Sequence, residues 1–229
     1  MAFILNLETA TSVCSIALAK EGKLIALREV NNGFTHSENI TNFISEVCKE
    51  AGIKLEELVA VAVSKGPGSY TGLRIGASTA KGLCYALQKP LIAIDTLKSL
   101  TAGMISSNRS DPSTLFIPMI DARRMEVYYA VYNNLLDEVI HASAMVITAD
   151  SFNDLSAQNE IVLFGDGSSK CKPLFESRPQ VKFSDVSLSA TGMMMLSEEK
   201  FLRNEFEDVS LFEPFYLKEA AIGIPHRNT

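Results

Sequence analysis

Alternating apolar and polar residues predict an α/β architecture in the first half of the chain. Three short apolar segments joined by polar turns open it, as in an antiparallel meander. Longer segments with apolar residues at helical spacing then separate further buried strands. The predicted elements are strands at 3–7, 13–19, 24–30, 58–63 and 91–94, and helices at 36–51, 73–87 and 97–106. Because parallel strands need a crossover, this half should combine antiparallel and parallel pairing.

The second half repeats this pattern in a weaker form. Its strands are again joined by short turns, so the two halves are expected to be related structural units. The predicted elements are strands at 115–120, 126–132, 138–147 and 161–164, helices at 150–155 and 188–201, and an extended segment at 208–217. A polar loop at 106–113, containing Asp111-Pro112, separates the halves. We therefore expect domains at 1–107 and 108–229.

The composition of the chain indicates its cellular location and argues against one class of ligand. The chain has 229 residues, of which 47% are hydrophobic, enough for a substantial core. No apolar stretch reaches the roughly 18 residues of a membrane span, and the first residues do not resemble a signal peptide. We therefore expect a cytoplasmic protein without membrane contact. The widely spaced Cys14, Cys48, Cys84 and Cys171 are expected to be free thiols. The net charge of −6 argues against nucleic-acid binding by this chain alone.

The most informative stretch is the glycine-rich segment 64–76, Ser-Lys-Gly-Pro-Gly-Ser-Tyr-Thr-Gly-Leu-Arg-Ile-Gly. It joins a predicted strand to a predicted helix, and such a turn can bind an anion through free N–H groups and the helix dipole. It is not a dinucleotide-binding motif, which needs glycine where Thr71 stands. It is not a Walker motif either, since Leu73 and Arg74 follow Gly72. An anion site and an ordinary tight turn both remain open.

Small residues recur every fourth position in the following helix, at Gly72, Gly76, Ala80 and Cys84, and therefore share one face. Each glycine within a helix costs about 1 kcal/mol relative to alanine, so the stripe indicates close approach by another backbone. That backbone could belong to this chain or to another subunit. Stereochemistry alone favours packing within the chain.

Two further turns carry candidate ligands for a nucleotide. Glu8, Thr9, Thr11 and Ser12 follow the first strand and could hold a metal-bound phosphate, or could form an ordinary hairpin loop. A second glycine turn, with Gly165 and Gly167, gives a weaker anion-site signal.

Other candidates for chemistry have simpler explanations. His36 has Ile40 one helical turn later, so the helix lacks a second metal ligand, and a surface or interface histidine is expected. Asp121 lies beside Arg123 and Arg124, and could be a functional carboxylate or part of an ion pair in a loop.

Four motifs together resemble the TsaB (YeaZ) family, and they occur in order over nearly the whole chain. They are segments 7–18, 64–76, 120–128 and 213–217. The resemblance implies an actin-like/sugar-kinase (ASKHA, ribonuclease H-like) fold with two related lobes, mixed sheets and a reduced second lobe. It also implies a role in making threonylcarbamoyladenosine in tRNAs that read codons beginning with A.

In that family this subunit is a non-catalytic scaffold. The resemblance implies pairing with the catalytic paralogue TsaD, help in recruiting TsaE, and a homodimer when the chain is alone. Contact with tRNA would occur only through the complex. No cofactor is expected in this subunit, whereas ATP and a metal are expected in its partners. The alternative is a small-molecule kinase or phosphotransferase of the actin-like superfamily, and a third hypothesis, a metalloprotease, lacks the ligands.

Differences from the catalytic and kinase-like relatives of the family support the role of a non-catalytic scaffold. Catalytic paralogues carry His-x-x-x-His where this chain has His36 and Ile40. Glu8 and Ala10 replace Asp and Gly of kinase-like phosphate turns. No catalytic or metal-binding residue is therefore expected, and Glu8, Thr9, Thr11, Ser12, Gly165 and Gly167 would form at most a vestigial nucleotide site.

The family's dimer face uses the first two helices. This shifts the expectation for the small-residue stripe from packing within the chain to subunit contact. The residues expected at the interface are Ile40, Phe43, Ile44, Gly72, Gly76, Ala80 and Cys84, of which Ile40, Phe43 and Ile44 are expected to be shared between the core and the interface. Leucine at Gly76 should then weaken association and leave the monomer folded.

Overall fold

Two five-stranded mixed sheets form the frame of the molecule. The structure is a computed structural model that describes residues 2–31, 36–107 and 113–218. The strands are β1 Phe3–Glu8, β2 Cys14–Lys20, β3 Lys23–Val30, β4 Leu58–Gly66, β5 Leu91–Asp95, β6 Leu115–Asp121, β7 Glu126–Tyr132, β8 Glu138–Val146, β9 Ile161–Phe164 and β10 Val181–Ser184. The helices are α1 His36–Ala51, α2 Tyr70–Leu87, α3 Thr96–Ser107, α4 Asn153–Ser156, α5 Lys172–Phe175 and α6 Met194–Leu202.

The same topology occurs in both sheets. The first sheet has the order β3-β2-β1-β4-β5, with β1, β2 and β3 antiparallel and β1, β4 and β5 parallel. The second has the corresponding order β8-β7-β6-β9-β10, with the same division between antiparallel and parallel pairs. The expectation of mixed sheets in two related units is therefore confirmed.

Helices cover both faces of the first sheet. On one face, Leu5 and Leu7 of β1 pack in a common core with residues of α1 and α2, including Ile44 and Ala80. On the other face, Ile4 packs with residues of β4, β5 and α6. This alternation follows from the two-residue period of a strand, which points successive side chains to opposite faces.

Helix α3 connects the two sheets through its apolar face. Leu97, Leu100 and Met104 are buried in one cluster with Phe116 of β6 and Phe164 of β9. The opposite face of the second sheet forms a separate core with α5 and the segment that leads into α4. The two sheets are thus joined by a shared apolar layer.

The last part of the described chain returns to the first sheet. Ser197 of α6 donates a buried 2.7 Å hydrogen bond to Asn6 Oδ1, and Lys200 Nζ donates to the Ala93 carbonyl at 3.0 Å. The predicted domain 108–229 therefore includes a segment that packs on the first sheet. The predicted division at 107/108 adjoins residues 108–112, which lie outside the described residues.

Several element boundaries differ from those predicted. Helix α2 begins at Tyr70 rather than at residue 73, because the Ser69 side chain accepts a hydrogen bond from the Gly72 N–H and caps the helix. The predicted helix 188–201 is a short 3₁₀ turn, Ala190–Met193, followed by α6. Strand β10 was not predicted. None of the helices in the described ranges has the length and apolar character needed to cross a membrane.

Candidate partner-binding face and nucleotide turns

The glycine-rich segment packs directly on the turn between β1 and β2. The Ser69 N–H donates to the Ala10 carbonyl at 2.7 Å, and Thr9 Oγ1 donates to the Gly72 carbonyl at 2.8 Å. A Cβ at Gly68 would collide with the Ala10 carbonyl, and one at Gly72 with the Thr9 carbonyl. Glycine is therefore required here because the two backbones touch.

The candidate phosphate ligands of the first turn are mostly turned inward. Glu8 and Thr9 are fully buried, and Thr11 is nearly so. Ser12 is exposed, and its hydroxyl donates to Asn31 Oδ1 at 2.8 Å. The prediction that these side chains could hold a metal-bound phosphate is thus corrected, because three of the four do not face an open site.

Glu8 is an unusual buried carboxyl group. Its Oε1 accepts hydrogen bonds from Ser64 Oγ at 2.7 Å and from the Ala10 N–H at 2.8 Å, whereas its Oε2 has no partner within the described ranges. Burial raises the pKa of Glu8 to about 7, although these hydrogen bonds oppose the rise. Burial and the charge of Glu8 raise the pKa of the nearby Cys14 thiol to about 11.

The second glycine turn is also a close-packed structure. A Cβ at Gly165 would collide with the Met119 carbonyl, and one at Gly167 would lie 2.9 Å from the Ile120 carbonyl carbon. Gly165 has a φ of 93°, which favours glycine. Packing on the end of β6 thus explains both glycines, and their assignment to a vestigial nucleotide site stays a prediction.

The small-residue stripe of α2 is buried within the chain. An added Cβ at Gly76 would collide with Thr9 Oγ1, and Ala80 and Cys84 belong to the core of the first sheet. The prediction that Gly72, Gly76, Ala80 and Cys84 contact another subunit is therefore corrected, since their close approach is used by this chain's own turn. Leucine at Gly76 would therefore destabilise the monomer itself, contrary to the expectation that the monomer would stay folded.

The predicted interface residues of α1 are mainly core residues too. Ile40 and Ile44 are only 2% and 4% exposed, and Phe43 is half-buried against the same core. Ile44 also lines a groove between α1 and α2, so it combines core packing with a surface contact. The expected core role of Ile40 and Ile44 is thus confirmed, and contact of the α1 residues with another subunit stays a prediction.

A second set of small residues lies on the opposite side of α2. Ser78, Gly82 and Ala86 are exposed and recur every fourth position, so they share a face. No heavy atom of the part of the chain that the structure describes lies within 4 Å of a Cβ built on Gly82, and the adjacent Tyr85 is 76% exposed. We call Ser78, Gly82, Tyr85 and Ala86 the outer face of α2. The four-residue spacing of these small residues is visible in the sequence, but only the stripe that begins at Gly72 was interpreted there.

An open groove of about 520 Å³ lies beside the outer face, between α1 and α2. Its lining combines apolar side chains with small hydroxyl groups and one lysine. The lining residues are Thr41, Ile44, Ser45, Cys48, Lys49, Ile53, Leu55, Thr79 and Leu83. The groove and the outer face of α2 together offer a mixed surface for a helical partner.

His36 is a buried residue rather than the surface or interface histidine that was expected. Its Nε2–H donates to the Thr11 carbonyl at 2.7 Å, and Nδ1 has no partner among the described residues. Ile40, one turn later, is in the core. Among the residues that the structure describes, no group of three or more His, Cys, Asp or Glu side chains is placed to hold a metal.

The glycine-rich segment also meets the chain's last motif, a contact that sequence reasoning missed. The Phe215 N–H donates to the Lys65 carbonyl at 2.6 Å. The Tyr216 ring lies 5.0 Å from that of Tyr70, and the Arg74 guanidinium lies 4.6 Å from the Tyr70 ring centre. Segments 64–76 and 213–217 thus form one structural unit, which explains both motifs through packing.

Comparison with known proteins agrees with this geometry. The family model described as "TsaD: tRNA N6-adenosine threonylcarbamoyltransferase" matches residues 33–225. The chain is 30% identical to the tRNA threonylcarbamoyladenosine biosynthesis protein TsaB of Escherichia coli, over 94% of this chain and 94% of that protein.

Solved structures give the same result at the level of the fold. YeaZ from Pseudomonas aeruginosa has a TM-score of 0.75 and 26% identity, over 95% of this chain and 100% of that one. The ethanolamine utilization protein EutJ from Carboxydothermus hydrogenoformans has a TM-score of 0.52 and 7% identity, over 85% and 90%, which shows the fold alone. The predicted fold of the actin and sugar-kinase type is confirmed, and the chain belongs to the TsaB (YeaZ) family, with a role in tRNA threonylcarbamoyladenosine biosynthesis.

Proposed function

We propose that this chain is a non-catalytic subunit of the tRNA threonylcarbamoyladenosine machinery, which pairs with TsaD and helps to recruit TsaE. The observation that carries the proposal is the match over nearly its full length to a TsaB biosynthesis protein. In this proposal ATP and the metal are bound by the partner subunits, and tRNA is modified by the complex.

Two features of the chain support a role without an active site of its own. The turn that would hold a phosphate is filled by its own buried side chains, Glu8 and Thr9 among them. The helix position that would complete a metal pair with His36 is the core residue Ile40. Neither arrangement presents reactive groups to a substrate.

The outer face of α2 and the adjoining groove support pairing through helices. Small exposed residues such as Ser78 and Gly82 allow a partner helix to approach the backbone closely. The exposed Tyr85 beside them is a residue type enriched among those that dominate binding energy. The partner is TsaD, and in its absence a second copy of this chain occupies the same face.

Reconstitution tests the proposal. Purified TsaD, TsaE and the remaining pathway enzymes are incubated with unmodified tRNA, ATP, threonine and bicarbonate as the source of the carbamoyl carbon, with and without this chain, and threonylcarbamoyladenosine is quantified. We expect formation to fall at least tenfold without the chain. A Gly82→Leu variant should give the same loss, whereas an exposed control, Glu205→Leu, should support normal formation. Equal formation without the chain would overturn the proposal.

Calorimetry of the lone chain with ATP and Mg²⁺ tests the alternative, a small-molecule kinase or phosphotransferase. Our proposal expects no tight binding and no hydrolysis, because the turn carrying Glu8 and Thr9 is closed by its contacts with the glycine-rich segment. Tight binding coupled to turnover would favour the kinase.

A further inference from the structure

The turn between β6 and β7 places two consecutive arginines in a conformation that arginine rarely adopts. Arg123 has a φ of 72° and Arg124 a φ of 46°. The turn is tight, since the Glu126 N–H donates to the Arg123 carbonyl at 3.0 Å. Glycine and asparagine adopt positive φ most readily, and other residues do so at an energetic cost. Strained residues that persist in an exposed turn indicate a role for their side chains.

Neighbouring carboxylates do not neutralise these arginines. Asp121 pairs instead with Lys170 at 2.6 Å, and the carboxylate of Glu126 pairs with Lys218. Of the two alternatives for Asp121, a functional carboxylate or part of an ion pair in a loop, the structure shows the ion pair, which is formed with Lys170 of another turn. Both arginines are exposed, and within 2–31, 36–107 and 113–218 neither guanidinium makes a hydrogen bond or an ion pair.

We propose that the turn formed by Arg123 and Arg124 binds the phosphate backbone of the tRNA substrate. A guanidinium presents planar N–H donors that match two phosphate oxygens, which suits it for this contact better than an ammonium group. The inference rests on the proposed function, since it makes this subunit contribute directly to holding the tRNA in the complex.

Charge supports a local contact. The chain carries a net charge of −6, so its surface as a whole repels RNA, and a contact must be confined to a small basic site. The turn also lies at an end of the second sheet, whereas the proposed TsaD-binding face lies on α2 over the first sheet. An acidic segment of a partner protein is the competing ligand, which the test distinguishes.

The test compares the wild-type chain with Arg123→Asn/Arg124→Gly, which introduces residues that tolerate positive φ. Each is mixed with TsaD, and the anisotropy of a labelled tRNA that reads a codon beginning with A is measured over a range of salt concentrations. We expect affinity to fall roughly tenfold at low salt, and the slope of log K against log salt to fall by about 1.5. The melting temperature should equal or exceed that of the wild type, which excludes misfolding as the cause.

A second variant, Arg123→Lys/Arg124→Lys, should keep most of the salt slope because it keeps both charges. Equal tRNA affinity of the Asn/Gly variant and the wild type, in the complex and for the chain alone, would overturn the inference. So would a loss of TsaD or TsaE binding with tRNA affinity unchanged, which would indicate an acidic protein ligand. Failure of the wild-type chain to pair with TsaD would instead contradict the proposed function.

Discussion

Replacement of Glu8 by glutamine should change how the stability of the protein depends on pH. Glu8 is fully buried at the end of β1. Among the residues that the structure describes, one of its carboxyl oxygens has no hydrogen-bond partner, and no lysine, arginine or histidine pairs with it. Burial therefore raises its pKa from an ordinary 4.5 to about 7. The folded protein binds a proton that the unfolded chain has released over this pH range.

The sign and size of the effect follow from that difference. The contribution of Glu8 to the free energy of unfolding is greatest below pH 4.5, falls as the pH rises towards 7, and is then level, because the folded state holds more Glu8 protons than the unfolded state between these values. One pKa unit corresponds to about 1.4 kcal/mol, so the ionised Glu8 side chain lowers the free energy of unfolding by roughly 3 kcal/mol above pH 7.

Urea unfolding of wild type and Glu8→Gln from pH 5 to pH 8.5 measures this contribution. At pH 5 both side chains are neutral and similar in shape, so the two proteins should differ little. At pH 8.5 the glutamine variant should be more stable by roughly 3 kcal/mol. Glu56→Gln, at an exposed site, should follow the wild-type curve. Parallel curves for wild type and Glu8→Gln would refute the reasoning, because Glu8 would then titrate equally in both states.

Two further predictions concern packing. Gly76→Ala should lower the free energy of unfolding by about 2 kcal/mol because its Cβ would collide with Thr9, whereas Gly82→Ala, in the same helix, should raise it by up to about 1 kcal/mol. Thermal unfolding of both variants checks this, and changes of the same sign would contradict it. Ser197→Ala should cost about 1–3 kcal/mol by leaving Asn6 Oδ1 without its buried donor. Denaturant unfolding checks this, and an unchanged midpoint would show that the hydrogen bond contributes little.

Most strands and helices could be predicted because their apolar periods are regular. The meander β1–β3 and the buried strands β4 and β5 occur where the pattern placed them. Strand β10 has only four residues and mixes polar with apolar side chains, whereas the equally short β9 is a continuous apolar run that the pattern revealed. The predicted start of α2, residue 73, lies beyond the observed start at Tyr70. Tyr70 and Thr71 are polar and exposed, so only the Ser69 cap marks the boundary.

The partner of each helix face could not be predicted from the sequence. The four-residue period identifies Gly72 and Gly76 as members of one stripe. The prediction that another segment approaches this stripe closely is confirmed. Spacing does not reveal which backbone approaches, and Thr9 lies more than sixty residues away in the chain. The same limit hid the outer stripe, since the small residues Ser78 and Gly82 repeat at the same period.

The affinity of TsaD for this chain, measured by calorimetry with wild type and Gly82→Leu, tests the central claim most directly. Leucine favours a helix more than glycine does, so the variant should fold and melt at or above the wild-type temperature. We predict that its affinity for TsaD falls at least tenfold, whereas Glu205→Leu binds like the wild type. Equal affinity of Gly82→Leu and wild type would contradict a partner surface on the outer face of α2.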